Sequence, residues 1–308
     1  MHDLDYDIAV FAVNEAATIE RCLAAIDRAA AGRRARIVVL LNGTTDNSLE
    51  IIEATRLSHA ALAVYRFPAA DKANAINRFL YDLRLDAAIY FCIDAYTRIG
   101  PDSLRAMAAS LEADPYALAA SGIPMNGRSA KTVREYTLKG GAISGQLNAL
   151  RPDFVNRLVA AGYRLPLQLY RGDGLLGSMA AHDLDALGTK WDDRRIVGAG
   201  GATYEISPLS IFRWRDLLRQ YRREIRQARG RFENEAIKAI IYARGYAALP
   251  SNATDMIKEW LKSHQLKPRS LREGYFMRQA LQRLDEARPA PADLVPQLAL
   301  ARQQSAIV

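Results

Sequence analysis

The stretch Asp7-Ile8-Ala9-Val10-Phe11-Ala12-Val13 is apolar after its first residue, and the polar pair Asn14-Glu15 follows it directly. The stretch Arg36-Ile37-Val38-Val39-Leu40-Leu41 has the same character and leads into Asn42-Gly43-Thr44-Thr45-Asp46. Short runs of this kind, rich in Ile and Val, are typical of strands buried on both faces of a parallel sheet. Between them, residues 18–26 carry apolar side chains at helical spacing. The segment therefore predicts a strand–helix–strand unit with a right-handed crossover.

The same alternation continues along the first part of the chain. Helical spacing and short apolar runs follow each other at 48–56 (helix), 61–66 (strand), 72–83 (helix), 88–93 (strand), 102–113 (helix) and 116–122 (strand). Alternating strands and helices indicate an α/β protein. We predict a Rossmann-like, mostly parallel sheet with helices on both of its faces.

The pattern changes twice in the second part of the chain. From 124 to 191 the regular spacing of apolar residues is lost and glycines are frequent. From 209 to 248 helical spacing returns together with many arginines. Prolines and alanines fill the last stretch. We predict a core domain over 1–210, a basic helical extension that packs on it over 211–286, and a flexible tail over 287–308.

Composition restricts the partners and the compartment. The 308 residues carry a formal net charge of +8, which favours anionic partners such as nucleotide phosphates, nucleic acid or an acidic membrane surface. Cys22 and Cys92 lie in apolar surroundings, so we expect two buried thiols and no disulfide or zinc site. No run approaches the roughly 18 apolar residues of a membrane span, and the acidic first residues do not resemble a signal peptide. We expect a cytoplasmic protein that can associate with the inner face of the cell membrane.

Polar side chains stand at the carboxyl ends of the predicted strands or open the helices that follow. They are Asn14, Glu15, Asn42, Asp46, Lys72 and Asp94. Open α/β sheets bind their ligands in the crevice at these strand ends. Each residue also has a plain structural interpretation: Asp46 is suited to cap a helix, and Lys72 is suited to face solvent.

Taken in order, these and later residues form a series of short motifs. In the first half they are Val13-Asn14-Glu15, Leu41-Asn42-Gly43-Thr44-Thr45-Asp46, Asp71-Lys72-Ala73-Asn74-Ala75-Ile76-Asn77 and Asp94-Ala95-Tyr96. In the second half they are Gly145-Gln146-Leu147-Asn148-Ala149-Leu150-Arg151, Gly172-Asp173 and Gln220-Tyr221-Arg222-Arg223-Glu224. Over roughly residues 7–225 the series resembles the family 2 glycosyltransferases, whose fold is of the GT-A type. The resemblance implies an inverting hexosyl transfer from a nucleotide-diphosphate donor to a hydroxyl, on a lipid-linked or polysaccharide acceptor.

The resemblance also implies roles for individual residues. Asp173 takes the position of the general base that accepts the proton of the acceptor hydroxyl. Nucleotide-sugar binding falls to Asn14, Glu15, Asn42, Asp46, Lys72, Asp94, Arg222 and Arg223. The acceptor region contains Gly145, Arg151 and Gln220. Asp94 takes the position of a ligand to a divalent cation, Mg²⁺ or Mn²⁺.

Three positions depart from the family pattern. Leu41 replaces an acid that often contacts uracil, so the base of the donor stays open. Tyr96 replaces the second carboxylate at the metal, which predicts weak or absent dependence on a divalent cation. Arginines such as Arg98 could neutralise phosphate instead. Glu224 replaces a tryptophan, so the role of that motif in a polymer channel does not carry over.

The sequence leaves several alternatives open. Asp183 or Asp185 could act as the base, and His182 could be a metal ligand or a structural histidine. The protein could be an inactive, glycosyltransferase-like binding protein, or a sugar nucleotidyltransferase, although no Gly-rich phosphate loop follows residue 13. The arginine-rich segment 213–231 could be a solvated face or bind an anionic membrane surface. We expect no nucleic-acid partner, because no motif of a known nucleic-acid-binding module is present.

Overall fold

The computed structural model describes residues 2–127, 129–207, 214–286 and 288–303. Within these ranges, nine strands form one sheet in the order β5-β8-β6-β7-β4-β1-β2-β3-β9. The strands are β1 (Leu4–Ala12), β2 (Ala35–Asn42), β3 (Ala60–Phe67), β4 (Ala87–Asp94), β5 (Thr97–Ile99), β6 (Ala119–Pro124), β7 (Leu147–Leu150), β8 (Ile196–Ile206) and β9 (Gln297–Arg302).

Helices cover both faces of this sheet, as the sequence predicts. They are α1 (Ile19–Ala29), α2 (Ser48–Ala54), α3 (Lys72–Arg78), α4 (Ser103–Ala113), α5 (Ala130–Leu138), α6 (Pro152–Ala160), α7 (Gly172–Ala181), α8 (Trp214–Arg244), α9 (Ala253–Leu261) and α10 (Leu271–Gln282). Alternate residues of β1 belong to different cores: Ile8 and Val10 pack on the side of α1, α2 and α4, and Ala9 and Phe11 on the side of α3, α6 and α7. The apolar runs therefore reflect burial on both faces.

The direction of the strands determines which loops meet. β1 pairs in parallel with both β2 and β4, so that Phe11 lies opposite Leu40 on one side and Asp94 on the other. The residues after β1, β2 and β4 therefore share one edge of the sheet. β7 runs antiparallel to β4, with Ile93 opposite Leu147. The segment that leads into β7 consequently reaches the same edge.

The region 124–191 is more regular than its sequence indicates. It contains the three helices α5, α6 and α7 together with β7. Several of its glycines lie between these elements, and Gly140, Gly141 and Gly162 have positive φ angles of 85°, 83° and 70°. The glycines thus mark turns between short elements.

The long helix α8 joins two hydrophobic cores. Its second half contributes Ala236, Ile237, Ile240 and Ile241 to the main core. Its first half packs against α9 and α10 in a smaller core built around Ile225, Phe232, Ile257 and Met277. None of the helices in the described ranges is long and apolar enough to cross a bilayer.

The prediction of a flexible tail over 287–308 does not hold for residues 297–302. These residues form β9, which pairs antiparallel with β3 and completes one side of the sheet. Just before it, the carbonyl of Asp293 accepts from the Ala69 N–H at 3.2 Å, and the carbonyl of Leu294 accepts from Asn74 Nδ2 at 2.9 Å. The prolines of this segment lie before the strand, where they interrupt no ladder.

Candidate active site

The loops after β1 and β2 are connected by hydrogen bonds that side-chain oxygens accept from backbone N–H groups. Asn14 has a φ of 53°, and its Oδ1 accepts from the N–H groups of Thr45 at 2.8 Å and Asp46 at 3.2 Å. The Asp46 carboxylate accepts from the Ala16 N–H at 3.0 Å and from the Ser48 N–H, at the start of α2, at 3.1 Å. Asn14 and Asp46 therefore hold the two loops side by side at the edge of the sheet.

Glu15 and Asn42 are buried at the same edge. The Oε2 of Glu15 accepts from the Thr18 hydroxyl at 2.8 Å. The Oδ1 of Asn42 has no hydrogen-bond partner among the described residues. Gly43 follows with a φ of 59°, and a Cβ there would lie 2.7 Å from the backbone nitrogen of Ala70. A glycine at this position thus lets the end of β2 approach the segment that precedes α3.

Lys72 and Asp94 form an ion pair at the centre of the site. Lys72 opens α3 and Asp94 ends β4, and the Lys72 Nζ lies 2.6 Å from the Asp94 Oδ1. The same Nζ lies 3.5 Å from the carbonyl oxygen of Gly145 and 5.6 Å from the centroid of the Phe11 ring. The side chain of Asp94 is 9% exposed, whereas that of Lys72 is 34% exposed. The Asp94 carboxylate is therefore buried, whereas part of the Lys72 side chain is exposed.

Tyr96 forms a hydrogen bond to the second carboxylate oxygen of Asp94. Its hydroxyl donates to the Asp94 Oδ2 at 2.8 Å and accepts from the Gln146 Nε2 at 3.1 Å. The Gln146 Oε1 in turn accepts from the Ser144 hydroxyl at 3.1 Å and from the Tyr204 hydroxyl at 3.2 Å. Both oxygens of Asp94 thus have donors from the chain itself, and the phenol is fixed by a network of its own.

The pKa values at this cluster follow from burial and neighbouring charge. Burial tends to lower the pKa of Lys72, but the negative charges of Asp94 and Asp173 outweigh it and raise that pKa. Burial raises the pKa of Asp94, and the Lys72 charge opposes the rise. Burial and then the charge of Asp94 raise the pKa of Tyr96 well above its usual value. At neutral pH Lys72 is therefore a cation and Tyr96 a neutral phenol.

Asp173 lies in the first turn of α7 and faces Gly145. A Cβ on Gly145 would lie 2.4 Å from the Asp173 Oδ2, so the carboxylate fits only against a residue without a side chain. Because the carbonyl of Gly145 also contacts Lys72, the structure brings Asp173 next to the Lys72–Asp94 pair. Residues that are far apart in the sequence thus form one polar cluster.

The two alternative base candidates have structural contacts of their own. Asp183 accepts from the Arg157 guanidinium at 2.8 Å. Asp185 closes a turn by accepting from the N–H groups of Leu187 at 3.0 Å and Gly188 at 2.9 Å. These contacts account for both carboxylates without a catalytic role.

Asp71, the residue before α3, forms a hydrogen bond with the loop that leads into α7. This carboxylate is buried; its Oδ1 accepts from the Asn74 N–H at 3.0 Å and caps α3, and its Oδ2 accepts from the Gln168 N–H at 2.8 Å. One side chain therefore fixes both the start of the helix that carries Lys72 and the loop before Asp173.

The same loop is held from the other side by Glu233, a fully buried residue of α8. Its carboxylate accepts from the N–H groups of Tyr170 at 3.1 Å and Arg171 at 3.4 Å. Arg229, one turn earlier on α8, donates to Glu233 at 2.9 Å. Our sequence analysis did not single out Glu233 or Asp71. The sequence feature that could have pointed to Glu233 is that it is an acidic residue within an arginine-rich helix.

Arg151, which the sequence analysis assigns to the acceptor region, does not lie in this cluster. Its guanidinium donates to the carbonyl of Ala117 at 2.7 Å and to that of Asp114 at 2.9 Å. The reason is the direction of β7: Gly145 precedes the strand at the site, whereas Arg151 follows it near the opposite end of β4. Arg151 connects segments of the fold.

The remaining predicted residues lie on α8 or on β5. Gln220 donates to Glu224 at 2.9 Å, and Arg222 and Arg223 are exposed. Arg98 forms an ion pair with a glutamate of β8. The structure therefore does not bring these four side chains into contact with the Lys72–Asp94 pair.

The residues around Asp94 do not fit the divalent cation that the resemblance implies. Both of its oxygens are engaged by an ammonium and a phenol, and hard cations prefer several carboxylate or carbonyl oxygens. Within the described ranges no group of three His, Cys, Asp or Glu side chains is arranged to hold a metal. His182 is buried elsewhere, with its Nδ1 on the Thr189 carbonyl at 2.8 Å and its Nε2 on the Tyr242 hydroxyl at 3.3 Å.

Two solved structures illustrate the similarity in fold. The mannosyltransferase PcManGT from Pyrobaculum calidifontis, in complex with GDP-Man and Mn²⁺, is 17% identical over 92% of this chain and 81% of that one, with a TM-score of 0.56. TarS 1-349 from S. aureus, in complex with UDP-GlcNAc, is 14% identical over 91% and 80% of the two chains, with a TM-score of 0.55. At such identities the likeness establishes the fold. No curated protein sequence matches this chain significantly.

The family model described as glycosyl transferase family 2 matches residues 7–164. This range is more than half of the 308 residues, and it runs from β1 into the segment that precedes α7 and Asp173. It contains the Lys72–Asp94 pair and the loops after β1 and β2. The chain therefore belongs to glycosyl transferase family 2, and its sheet is that of the GT-A fold.

Proposed function

We propose that this protein is an inverting glycosyltransferase that moves a hexosyl group from a nucleotide-diphosphate donor to a hydroxyl acceptor, with Asp173 as the general base. The observation that carries the proposal is the position of Asp173, against Gly145 and beside the Lys72–Asp94 pair. This cluster lies where the carboxyl ends of β1 and β4 meet, the place at which open α/β sheets bind ligands. A base and a cation therefore share one crevice.

The proposed reaction is a direct displacement. The acceptor hydroxyl oxygen attacks the anomeric carbon from the face opposite the diphosphate, and the bond between that carbon and the diphosphate oxygen breaks. The configuration at the carbon inverts, the diphosphate leaves with the bonding electron pair, and the hydroxyl proton passes to Asp173. A positioned base of this kind contributes about 10²–10⁴ in rate, and a cation at the leaving group stabilises its developing charge.

The donor nucleotide is proposed to lie over the loops after β1 and β2. In support, Asn14 and Asp46 fix these loops to each other, and Glu15 and Asn42 are buried at the same edge. Leu41, at the position where relatives carry an acid, is buried in the core. Similar folds are known with GDP-Man and with UDP-GlcNAc, so both bases belong in a test.

The acceptor is proposed to approach from the side of α7 and α8, as a hydroxyl of a lipid-linked sugar or a polysaccharide. The loop before Asp173 is in contact with α8 through Glu233, and the Arg226 guanidinium lies 5.9 Å from the Tyr170 ring centroid. Arg222 and Arg223, one turn earlier, are exposed. Exposed guanidinium groups at that side are suited to an anionic acceptor, such as a phosphate-linked lipid.

The test is a panel of UDP- and GDP-sugars, with donor turnover measured for the parent protein and for Asp173→Asn. The matched control is Asp153→Asn, which changes an exposed carboxylate paired with Arg157 on α6. We expect Asp173→Asn to lose about 10²–10⁴ of the rate, with nucleotide affinity and melting temperature close to those of the parent. The control should behave as the parent.

Two outcomes would contradict the proposal in different ways. If Asp173→Asn turns over a donor within a few-fold of the parent, another group is the base. If the parent binds nucleotides but turns over no donor, the inactive binding protein is the better description.

A further inference from the structure

We infer that the ammonium of Lys72 takes the place of a divalent cation at the donor diphosphate, so that this protein binds its donor without a metal. The inference rests on the proposed function, because it concerns the diphosphate of the proposed donor. It gives Lys72 a role in neutralising charge at the leaving group, and it leaves the role of Asp173 unchanged.

The first argument is the position of the ammonium. Its Nζ lies 2.6 Å from the Asp94 Oδ1, directly against the carboxylate from which a metal would be held. An ion pair at this distance occupies the space that a cation bound to the same oxygen would need. A metal could enter only by displacing a buried, charge-assisted hydrogen bond.

The second argument is the network around Tyr96. A carboxylate at this position could ligate a cation, whereas the phenol donates its proton to the Asp94 Oδ2 at 2.8 Å. Gln146 fixes the phenol at 3.1 Å, and the hydroxyl of Tyr204 fixes Gln146 at 3.2 Å. The second oxygen of Asp94 thus accepts from the Tyr96 phenol, whose position is fixed by Gln146 and Tyr204.

The third argument is the free hydrogen-bonding capacity of Lys72. An ammonium has three donors, of which one contacts Asp94 and a second lies at the longer distance of 3.5 Å from the Gly145 carbonyl. The side chain is 34% exposed, whereas Asp94 is 9% exposed. Two of the three donors thus have oxygen partners among the described residues, and the third is available to a phosphate oxygen of the donor.

The experiment measures the binding of UDP and GDP by calorimetry, in EDTA and in Mn²⁺, to the parent, Lys72→Met and Lys72→Arg. We expect the parent to bind one of the two nucleotides equally well in both buffers. Lys72→Met should bind it roughly 10- to 100-fold more weakly, as expected for the loss of one hydrogen bond to a charged group, and Mn²⁺ should not restore the affinity. Lys72→Arg keeps the charge and should retain most of it.

The matched control is Lys262→Met, because Lys262 is an exposed lysine after α9 that pairs with Glu259. It should bind as the parent does. Circular dichroism melting of each variant separates weak binding from loss of fold, and Lys72→Arg tests the charge if Lys72→Met unfolds.

The outcomes separate this inference from the proposed function. Binding by the parent that requires Mn²⁺, or equal binding by Lys72→Met and the parent in EDTA, would overturn the role of Lys72 and leave the glycosyltransferase intact. If the parent bound neither UDP nor GDP under any condition, the proposed nucleotide donor itself would be at fault.

Discussion

Residue 145 is a glycine, and the absence of a Cβ there leaves room for the Asp173 carboxylate in its observed position. In Gly145→Ala the new Cβ would stand 2.4 Å from the Asp173 Oδ2, and the flexible carboxylate would have to turn away. We expect a rate loss of roughly 10²-fold, the effect of displacing a catalytic group by about 1 Å. Nucleotide binding and melting temperature should change little, since the new contact is with the end of a side chain.

Gly174→Ala provides the control for this change. The nearest atom to its Cβ is the Arg171 Cβ at 3.8 Å, an ordinary contact. Donor turnover by the two alanine variants is compared directly. Equal turnover would show that the position of Asp173 against Gly145 is not important for the reaction.

Short motifs predicted much of the cluster because parallel strands bring their carboxyl ends to one edge. This rule and the family resemblance placed both Lys72 and Asp94 in the nucleotide-sugar site, whereas the ion pair between them is visible only in the structure. The position of Arg151 outside the cluster could not be predicted, because a strand of four residues does not reveal in its sequence that it runs antiparallel to β4. Asp71 and Glu233 were missed because their importance lies in buried contacts with a distant loop.

Among the elements, α8 supports the loop before Asp173, and its fully buried side chain there is that of Glu233. In Glu233→Gln, Arg229 would lose its carboxylate partner, and breaking a buried pair in this way costs about 3–5 kcal/mol of stability. The backbone N–H groups of Tyr170 and Arg171 would also lose a charged acceptor. We expect a lower free energy of unfolding in urea and a lower kcat, with KM for the donor nearly unchanged.

The control for α8 is Glu235→Gln, an exposed neighbour that pairs with Lys238 at 3.4 Å. Turnover is measured at a temperature at which both variants are folded, so that stability does not enter the comparison. A fall in donor affinity without a fall in kcat would mean that Glu233 supports the donor site rather than the loop before Asp173.

Elements whose apolar residues recur at a regular spacing could be predicted from the sequence, and elements without such a spacing could not. The strands and helices up to residue 124 follow from alternating apolar patterns, except for the three-residue strand β5, which was not predicted. The helices of the region 124–191 are short and are separated by glycines, so the pattern over the whole region resembles a loop. β9 lies behind three prolines and is mostly exposed, and neither property indicates a strand.

For the molecule as a whole, the surface of α8 offers mainly charge to a membrane. Ile225 is buried and Tyr221 packs against the same small core, so α9 and α10 cover this part of the apolar face, whereas Leu217 near the start of the helix is 45% exposed. Arg231 is engaged by Glu273, and Arg213 lies outside the described residues. Binding to an anionic bilayer would therefore depend on exposed arginines such as Arg222 and Arg223.

We expect Arg222→Gln/Arg223→Gln to weaken co-sedimentation with anionic vesicles at low salt. Each basic residue near such a surface contributes about 1 kcal/mol, and the binding should disappear as salt is raised. The charge-matched control is Arg28→Gln/Arg56→Gln, which removes two exposed arginines on the side of the sheet opposite α8. Equal binding of both double variants, or no binding by the parent, would exclude a membrane role for α8.

The pairing of β9 with β3 has a consequence for the order in which the protein is assembled. β3 leaves the ribosome long before residues 293–302 exist, and until then one side of the sheet stays open. The segment that carries Lys72 also lacks its contacts from Asp293 and Leu294 to Ala69 and Asn74 during that time. The nascent chain can therefore build most of its sheet before the Lys72 segment is supported. The support of the Lys72 segment would thus arrive late, when β9 docks against β3.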